Sequence, residues 1–490
     1  MKRSVCIITP CESFSNDFLD VVKLFYKVDQ YKVAQCKPNE SAEENEFMVI
    51  EHSFECSEKT LKTSFAYNEI EVKKECDLST HDEIIRKRQI KRLCKQCLYE
   101  MLCIITNGSP QWGSLTGVRP TRLLYEVMSQ GLNVDEAANI VQAEFDISDK
   151  KMNILVDVVK EQEKLLKLQP HDIDIYIGIP FCPTRCAYCS FPGEAIGKKS
   201  LIEPYLTALF HEMEETAKIV ANCKMKLRSV YIGGGTPTSL SDSEFERLLS
   251  KVTHYFAEMV EFTVEAGRPD TFSINKLIAM KKYRVDRISI NPQTMNDKTL
   301  IRIGRQHTAN DIMHWYNEAR NVGFNHINMD VIAGLPGEDL SDFQYTMKEI
   351  YKLAPDSLTV HTLALKKSSR LKMQGSTVDD GELPSAMVRS GYECATALGM
   401  KPYYLYRQKY MAGQQENVGY AKKGCACLYN VDIMEETASI LAVGAGAISK
   451  KVYENRQMRI ERSPNVSNVA IYIERVKEMI ERKEKLFYEQ

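Results

Sequence analysis

The stretch "FCPTRCAYCSF" (residues 181–191) carries three cysteines, Cys182, Cys186 and Cys189, in the spacing C-x3-C-x2-C. It directly follows "DIDIYIGIP" (172–180), whose alternating apolar residues predict a β-strand. Three thiolates can hold three corners of a cubane iron–sulfur cluster and leave one iron open for another ligand. Clusters that only transfer electrons usually have a protein ligand on every iron. The spacing therefore favours a cluster with an open iron.

Zinc is the competing interpretation of three closely spaced cysteines. A structural zinc site is closed by four protein ligands. A histidine could supply the fourth, but none lies between residues 171 and 211. Zinc therefore stays the weaker alternative.

Composition excludes several classes of protein. The 490 residues are 44% hydrophobic and 27% charged, with a net charge of -2, so nothing indicates nucleic acid as a partner. No stretch approaches the roughly 18 apolar residues of a membrane span, and we expect a cytoplasmic protein. The 15 cysteines are odd in number and scattered, which argues against a disulfide framework. Most of those outside the triplet are expected to be buried small hydrophobes.

Strand-like and helix-like segments alternate from residue 171 to about 375, which predicts an α/β fold with a parallel sheet. Six repeats are too few for a closed eight-stranded barrel, so we expect a partial (β/α)6 barrel with its chemistry at the carboxyl ends of the strands. The six predicted strands are 172–180, 227–234, 261–266, 285–293, 326–334 and 357–365.

The segments on either side of the barrel differ from it in pattern. Residues 1–85 predict an N-terminal α+β domain, with an antiparallel sheet and an early helix, and 86–170 predict a helical segment. The barrel is assigned to 171–375. Residues 376–490 predict a C-terminal mixed α/β domain that ends in a long charged helix.

The cysteine motif, with an aromatic residue before its last cysteine, resembles the radical S-adenosylmethionine (SAM) superfamily. "YIGIPFCPTRCAYCSF" (176–191) and "GGGTPT" (233–238) resemble the oxygen-independent coproporphyrinogen III oxidase family within it. "WGSLTGVRPTR" (112–122) and "YYLYRQKYMAGQQENVGYA" (403–421) are similar to the HemZ-type branch of that family. The resemblance implies a [4Fe-4S] cluster and SAM as cofactors, with the three cysteines as the cluster ligands.

The glycine run ends the second predicted strand. Glycines there let the backbone approach a ligand and present N–H and C=O groups to it, whereas a plain tight turn is the alternative. In the family this loop contacts the amino group of SAM, which implicates Gly234, Gly235 and Thr236.

Polar residues near the ends of later strands are further candidates. Glu265 closes the third strand, where a carboxylate can accept hydrogen bonds from ribose hydroxyls or simply face solvent. The Arg305 guanidinium suits a carboxylate, and a charge such as Asp330 in an apolar strand is costly unless paired or functional. The register leaves the direction of His361 open. The resemblance implies cofactor contacts, with Tyr188 near a second SAM, at Tyr176, Tyr188, Gly234, Gly235, Thr236, Glu265, Gln293, Arg305, Asp330 and Ala364.

The resemblance also implies a reaction. SAM would be cleaved to methionine and a 5′-deoxyadenosyl radical, which takes a hydrogen from a propionate of coproporphyrinogen III so that CO2 leaves and a vinyl group remains. The partners implied are a porphyrinogen or heme-like tetrapyrrole and a flavodoxin- or ferredoxin-type electron donor. Arg268, Arg287 and Arg305 are candidates to bind the propionates, and the loop 112–122 is a candidate to cover the substrate.

Three other functions compete with this one. A radical SAM enzyme could methylate or open heme itself. A heme chaperone of the family would usually carry a histidine where this chain has Leu428, although Asn430 remains. An electron-transfer protein is disfavoured by the three-cysteine ligand set. Cys425 and Cys427 could hold a second cluster, against the simpler interpretation that they are loop thiols.

Overall fold

The computed structural model forms two compact units, Met1–Gly117 with Leu123–Val156, and Val118–Arg122 with Asp157–Gln490. The four segments assigned from the sequence stay a prediction. The residues that the structure describes are 2–35, 47–78, 82–167, 169, 171–191, 193–196, 201–366, 368–378, 381–409, 411–453 and 459–488.

The N-terminal part of the chain contains a five-stranded sheet of order β2-β1-β3-β4-β5, followed by helices. Its elements are β1 (Lys2–Ile8), α1 (Ser15–Val22), β2 (Lys27–Ala34), β3 (Phe47–Cys56), β4 (Thr60–Tyr67), β5 (Ile70–Asp77), α2 (Glu83–Thr106), α3 (Thr121–Met128), α4 (Val134–Phe145) and α5 (Asp149–Leu165).

This sheet corrects the prediction of a wholly antiparallel one. β3, β4 and β5 are antiparallel, but β1 runs parallel to both β2 and β3. The early helix α1 was predicted, and it connects β1 to β2 as a crossover, which makes the two strands parallel. Cys94 and Cys97 of α2 are fully buried in the core against this sheet, as expected for small hydrophobes.

The second unit continues with β6 (Asp172–Ile179), β7 (Phe181–Cys182), β8 (Glu194–Ala195), α6 (Ile202–Asn222), β9 (Lys226–Gly234), α7 (Asp242–Tyr255), β10 (Glu261–Gly267), α8 (Ile274–Lys282), β11 (Arg287–Ile290), α9 (Asp297–Arg302), α10 (Ala309–Asn321), β12 (His326–Ala333), α11 (Leu340–Leu353) and β13 (Ser357–Thr362). It ends with α12 (Arg370–Met373), α13 (Leu383–Ala397), β14 (Lys401–Tyr406), β15 (Asn417–Ala421), α14 (Leu428–Glu435), β16 (Ser439–Val443), β17 (Ile448–Val452), β18 (Ile460–Pro464) and α15 (Val469–Tyr488).

One eleven-stranded sheet organises this unit, in the order β14-β15-β13-β12-β11-β10-β9-β6-β16-β17-β18. Six strands of this sheet pair in parallel, namely β6, β9, β10, β11, β12 and β13. This confirms the parallel α/β architecture of the partial barrel. The C-terminal strands extend the same sheet on both sides, because β15 pairs with β13 and β16 runs parallel to β6.

The parallel strands are buried on both faces, and β6 and β10 have almost no exposed position. Helices α7, α10 and α11 each begin with a capping box, so the loop before each of them ends at a defined residue. Because all six strands point the same way, their carboxyl ends and the loops that follow meet at one end of the barrel.

A buried ionic cluster fixes the C-terminal helix to the barrel. Glu212 of α6 and Lys483 of α15 are both fully buried and lie 2.5 Å apart. The other oxygen of the Glu212 carboxylate accepts hydrogen bonds from the Gly444 N–H (2.7 Å) and the Tyr472 hydroxyl (2.5 Å). The side-chain amide of Asn465 donates to the first oxygen at 2.8 Å. The carboxylate is therefore fully satisfied by donors from the C-terminal segment.

None of the helices in the described part of the chain combines the length and the apolar character that crossing a membrane requires.

Candidate active site

A cavity of about 340 Å³ opens at the carboxyl ends of the barrel strands, and we call it the upper cavity. Nearly all of the site residues predicted from the sequence lie on its wall. Those are Cys182, Cys186, Tyr188, Cys189, Gly234, Gly235, Thr236, Glu265, Gln293, Arg305, Asp330 and Ala364. Tyr176 does not line it. Its ring stacks instead on Tyr231 and Tyr429, so its cofactor contact stays a prediction.

Backbone and side-chain hydrogen bonds hold the cysteine loop in place. Arg268, directly after β10, donates to the Thr184 carbonyl at 2.8 Å and lies 3.8 Å from the Cys186 sulfur. On the other side, Ala187 N–H donates to the Ile303 carbonyl at 2.9 Å. The three cysteines therefore stand on a supported loop.

The three thiols fit a cluster better than a single metal ion. Within the described residues, no three Cys, His, Asp or Glu side chains converge as the ligands of one ion would. Cysteines of a cubane cluster bind different irons, so they border a shared space rather than meet at a point. All three border the upper cavity, and no other cysteine among the described residues does. The donor set thus suits a cluster with one iron left open.

The glycine loop lies directly against the cysteine loop. Gly235 N–H donates to the Ile179 carbonyl and Thr236 N–H to the Phe181 carbonyl, both at 2.8 Å. A Cβ at Gly235 would stand 2.6 Å from the Phe181 oxygen and 3.0 Å from the Cys182 sulfur. Only glycine fits there, because a side chain would collide with backbone and with the proposed ligand. The close approach supports the prediction of a ligand-contacting loop.

Two acids and a histidine form the floor of the upper cavity. The side chains of Asp330 and His361 lie 3.7 Å apart, which resolves the direction of His361: it points into the barrel. Although burial opposes it, hydrogen bonds and the charge of His361 keep the pKa of Asp330 below its usual value. Burial, and next the charge of Asp330, raise the pKa of Glu265 to about 7. The two acids therefore differ in their readiness to ionise.

The loop after β11 presents unsatisfied polar groups. Gln293 adopts a left-handed backbone with φ of 66°, unusual for a residue with a side chain. Its side-chain oxygen and that of Asn291 are buried without a hydrogen-bond partner among the described residues. Arg305 donates to the Asn291 carbonyl at 2.6 Å and to the Tyr188 hydroxyl at 3.1 Å. Such strain and unpaired polarity are typical of a ligand-binding wall.

A second cavity of about 170 Å³ lies inside the barrel and shares Glu265, Asp330, His361 and Tyr406 with the upper cavity. We call it the inner chamber. Arg287 belongs here, bound to Glu261 at 3.1 Å and to the carbonyls that follow β15. Arg287, a candidate from the sequence to bind the propionates, therefore does not line the upper cavity.

The structure also shows where two other candidate segments lie. Val118–Arg122, from the loop considered as a substrate cover, packs at the end of α14, where the Thr121 hydroxyl donates to Glu435 at 2.9 Å. It does not line the upper cavity. Cys427 caps α14 and donates to Glu261 at 3.2 Å.

The sequence interpretation missed several residues of the wall, among them Asn291, Arg185 and Lys366. Asn291 stands two residues before Gln293, so a strand-like period of two could have identified it. Arg185 and Lys366 lie in loops, where no period indicates direction.

We expect Glu265→Gln to stabilise the cofactor-free protein at high pH. The folded pKa of about 7 exceeds the ordinary value of about 4.3, so Glu265 contributes stability that is complete below pH 4 and is lost as the pH rises through 7. The neutral amide removes this loss. At pH 8 the free energy of unfolding should rise by about 1 to 3 kcal/mol, with little change at pH 4.5.

Denaturant unfolding at the two pH values measures this effect. Glu258→Gln, at an exposed position in the same unit, is the matched control and should change neither value. An equal stability of native and Glu265→Gln proteins at pH 8 would show that the carboxyl ionises without penalty.

Comparison with known proteins identifies relatives of this chain. Residues 176–350 match the family model of the radical SAM superfamily. The chain is 39% identical over 373 residues to the oxygen-independent coproporphyrinogen-III oxidase-like protein HemZ of Bacillus subtilis (strain 168), a match that covers 74% of each chain. It is 35% identical over 194 residues to the heme chaperone HemW of the same organism, covering 39% of this chain and 50% of the chaperone.

Among solved structures, coproporphyrinogen III oxidase (HemN) from Escherichia coli is similar in fold. The TM-score is 0.51 at 20% identity, and the match covers 65% of this chain and 72% of the other. The superfamily match and this likeness confirm the architecture predicted from the cysteine motif and the alternating strands.

Proposed function

We propose that this chain, which belongs to the radical SAM superfamily and within it to the HemZ family, decarboxylates propionate side chains of coproporphyrinogen III to vinyl groups in heme biosynthesis. The product would be protoporphyrinogen IX, formed without oxygen. A [4Fe-4S] cluster and SAM are the cofactors of this superfamily, and when bound they supply a radical that removes a hydrogen atom from the substrate.

One observation carries the proposal: three cysteines and the glycine loop share one cavity wall, with Gly235 packed against Cys182. Cys182, Cys186 and Cys189 would hold the cluster. Gly234, Gly235 and Thr236 would present backbone groups to the SAM amino group. Glu265 and Asp330, lower in the cavity, would accept hydrogen bonds from the ribose.

The chain's own residues would also orient the cofactors and keep water out. Gln293 and Asn291 offer unpaired amide oxygens to a polar ligand. Arg305, held by Tyr188 and the Asn291 carbonyl, keeps its Nε unpaired among the described residues. We place Arg305 at the carboxylate of SAM, where a guanidinium binds well.

The proposed reaction balances in atoms and electrons. Each propionate loses one hydrogen atom from its β-carbon, then CO2 and one electron, and a C=C bond forms. The hydrogen ends in 5′-deoxyadenosine. One electron from a flavodoxin- or ferredoxin-type donor starts the cycle, and the electron released with CO2 offsets it. We place this chemistry in the cytoplasm.

An anaerobic assay tests the proposal. Protein with reconstituted cluster is mixed with dithionite, SAM and coproporphyrinogen III, and chromatography follows protoporphyrin products and 5′-deoxyadenosine. We expect both to form in proportion, and neither in Cys182→Ala. Formation of 5′-deoxyadenosine with intact coproporphyrinogen would show that the substrate is wrong, and heme would be tried next. Heme binding without any SAM cleavage would instead assign a chaperone function.

A further inference from the structure

Four cations lie on the wall of the upper cavity: Arg185, Arg268, Arg305 and Lys366. Two of them are already engaged. Arg268 forms a double ion pair with Asp270, at 3.0 Å from Nε and 2.6 Å from Nη2. Arg305 is buried and donates to Tyr188 and to a backbone carbonyl. These two have little left to offer a substrate at the mouth.

Arg185 has no carboxylate partner among the described residues. It stands between Cys182 and Cys186 and reaches across the cavity, where Nη2 donates to the Ser368 carbonyl at 2.9 Å. Its Nε is buried and has no hydrogen-bond partner within the described chain. The guanidinium, which is partly accessible, has no anion beside it among the described residues, and a bound carboxylate would supply one.

Lys366 is the second cation that remains available. It lies on the same wall, two residues before the Ser368 carbonyl to which Arg185 is bound, and is exposed. No ion pair connects it to any acid among the residues described. Arg185 and Lys366 therefore present two positive charges from neighbouring segments.

Hydrogen bonds also fix the backbone around Arg185. The Arg185 carbonyl accepts a hydrogen bond from the Arg370 guanidinium at the start of α12. The Thr184 hydroxyl donates to the Gly304 carbonyl at 3.1 Å. The guanidinium thus projects from a backbone that is anchored on both sides.

We propose that Arg185 and Lys366 bind carboxylates of the substrate, so that this site selects a tetrapyrrole by its acidic side chains. The assignment of a tetrapyrrole rests on the proposed function. The planar guanidinium can bind one carboxylate through two parallel hydrogen bonds, and the lysine adds a mobile charge for another. Arg185, beside the cysteines, would hold the carboxylate nearest to the reacting carbon.

Binding of coproporphyrin III, the stable oxidised form with four carboxylates, tests this without turnover. Protein with reconstituted cluster is titrated by fluorescence at two salt concentrations. We expect Arg185→Gln to raise the Kd by about ten- to a hundredfold and Lys366→Gln by about three- to fivefold. Lys372→Gln, an exposed lysine nearby that is not on the wall, should leave the Kd unchanged. Both effects should shrink for the tetra-amide of the same porphyrin.

Cluster content and SAM affinity, measured for each variant, should match those of the native protein. If Arg185→Gln disturbs the cluster, Lys366→Glu provides the test, with a larger loss than Lys366→Gln expected from charge reversal. Equal porphyrin affinity in native, Lys366→Gln and Lys366→Glu proteins would overturn the proposal. Unchanged porphyrin affinity, together with a loss of 5′-deoxyadenosine formation when flavodoxin but not dithionite is the reductant, would assign the cations to the electron donor and also overturn the proposal.

The outcome is separable from that of the proposed function. Carboxylate-dependent binding through these two residues without decarboxylation would leave this inference intact and refute the proposed reaction. Decarboxylation in a protein whose porphyrin affinity does not depend on Arg185 or Lys366 would support the proposed reaction and refute this inference.

Discussion

Cys186→Ala is expected to purify without a complete cluster and to cleave SAM more than about a hundredfold more slowly than the native chain, because loss of an outer partner of a metal ligand alone costs about 10- to 100-fold. Cys186 lies on the upper cavity between the other two cysteines and is buried. Its sulfur also lies 3.8 Å from the Arg268 guanidinium, and alanine removes that contact. Iron and sulfide content, with 5′-deoxyadenosine yield, measure both effects.

Cys425→Ala is the matched control. Cys425 is half-exposed in a loop of the same unit, and its hydrogen bond to Arg287 is made by the backbone carbonyl, which alanine retains. The variant should keep the native iron content and activity. A loss of iron in Cys425→Ala comparable to that in Cys186→Ala would support the second cluster considered from the sequence.

The largest effect on stability is expected for Glu212→Gln. Its carboxylate accepts four hydrogen bonds, two of them from Lys483 and Tyr472 at 2.5 Å. An amide must turn its NH2 group toward donors on one side, and it leaves the buried Lys483 charge uncompensated. Breaking a buried pair in this way costs about 3 to 5 kcal/mol. Denaturant unfolding of the full chain should show this loss in the transition of the barrel unit.

Glu214→Gln, on the exposed face of the same helix, separates charge from burial. Glu214 lies 4.0 Å from Lys218 and is half exposed. Its replacement should change the free energy of unfolding by no more than about 0.5 kcal/mol. Equal destabilisation by the two substitutions would mean that the buried cluster contributes nothing specific.

Local sequence patterns were sufficient to predict the part of the structure where motifs follow directly on strands. The six strands of the barrel, the helix α15 and the cavity wall at the cysteines and glycines all follow from alternation and spacing that a linear reading can detect. Each of these features depends on residues close together in the chain. The carboxyl ends of parallel strands then bring separate motifs to one place without further information.

Features that depend on distant partners could not be predicted. Arg287 and Arg268 look alike in sequence, but one pairs with Glu261 inside the barrel and the other with Asp270 at the cysteine loop. The parallel pairing of β1 with β2 depends on how α1 crosses the sheet. The inner chamber has no sequence signature, because its wall is assembled from one to three residues of each of several strands.

The pairing of β16 with β6 has a consequence for the order of folding. β6 leads into the cysteine loop, and one of its two neighbours in the sheet comes from Ser439–Val443. A nascent chain cannot complete that pairing until Ser439–Val443 has left the ribosome. Until then β6 is an unpaired edge, open to pairing with other chains. We therefore expect that deletion of Ser439–Val443 would lower the iron content of the protein, although these residues lie more than 240 positions from the cysteine loop in the sequence.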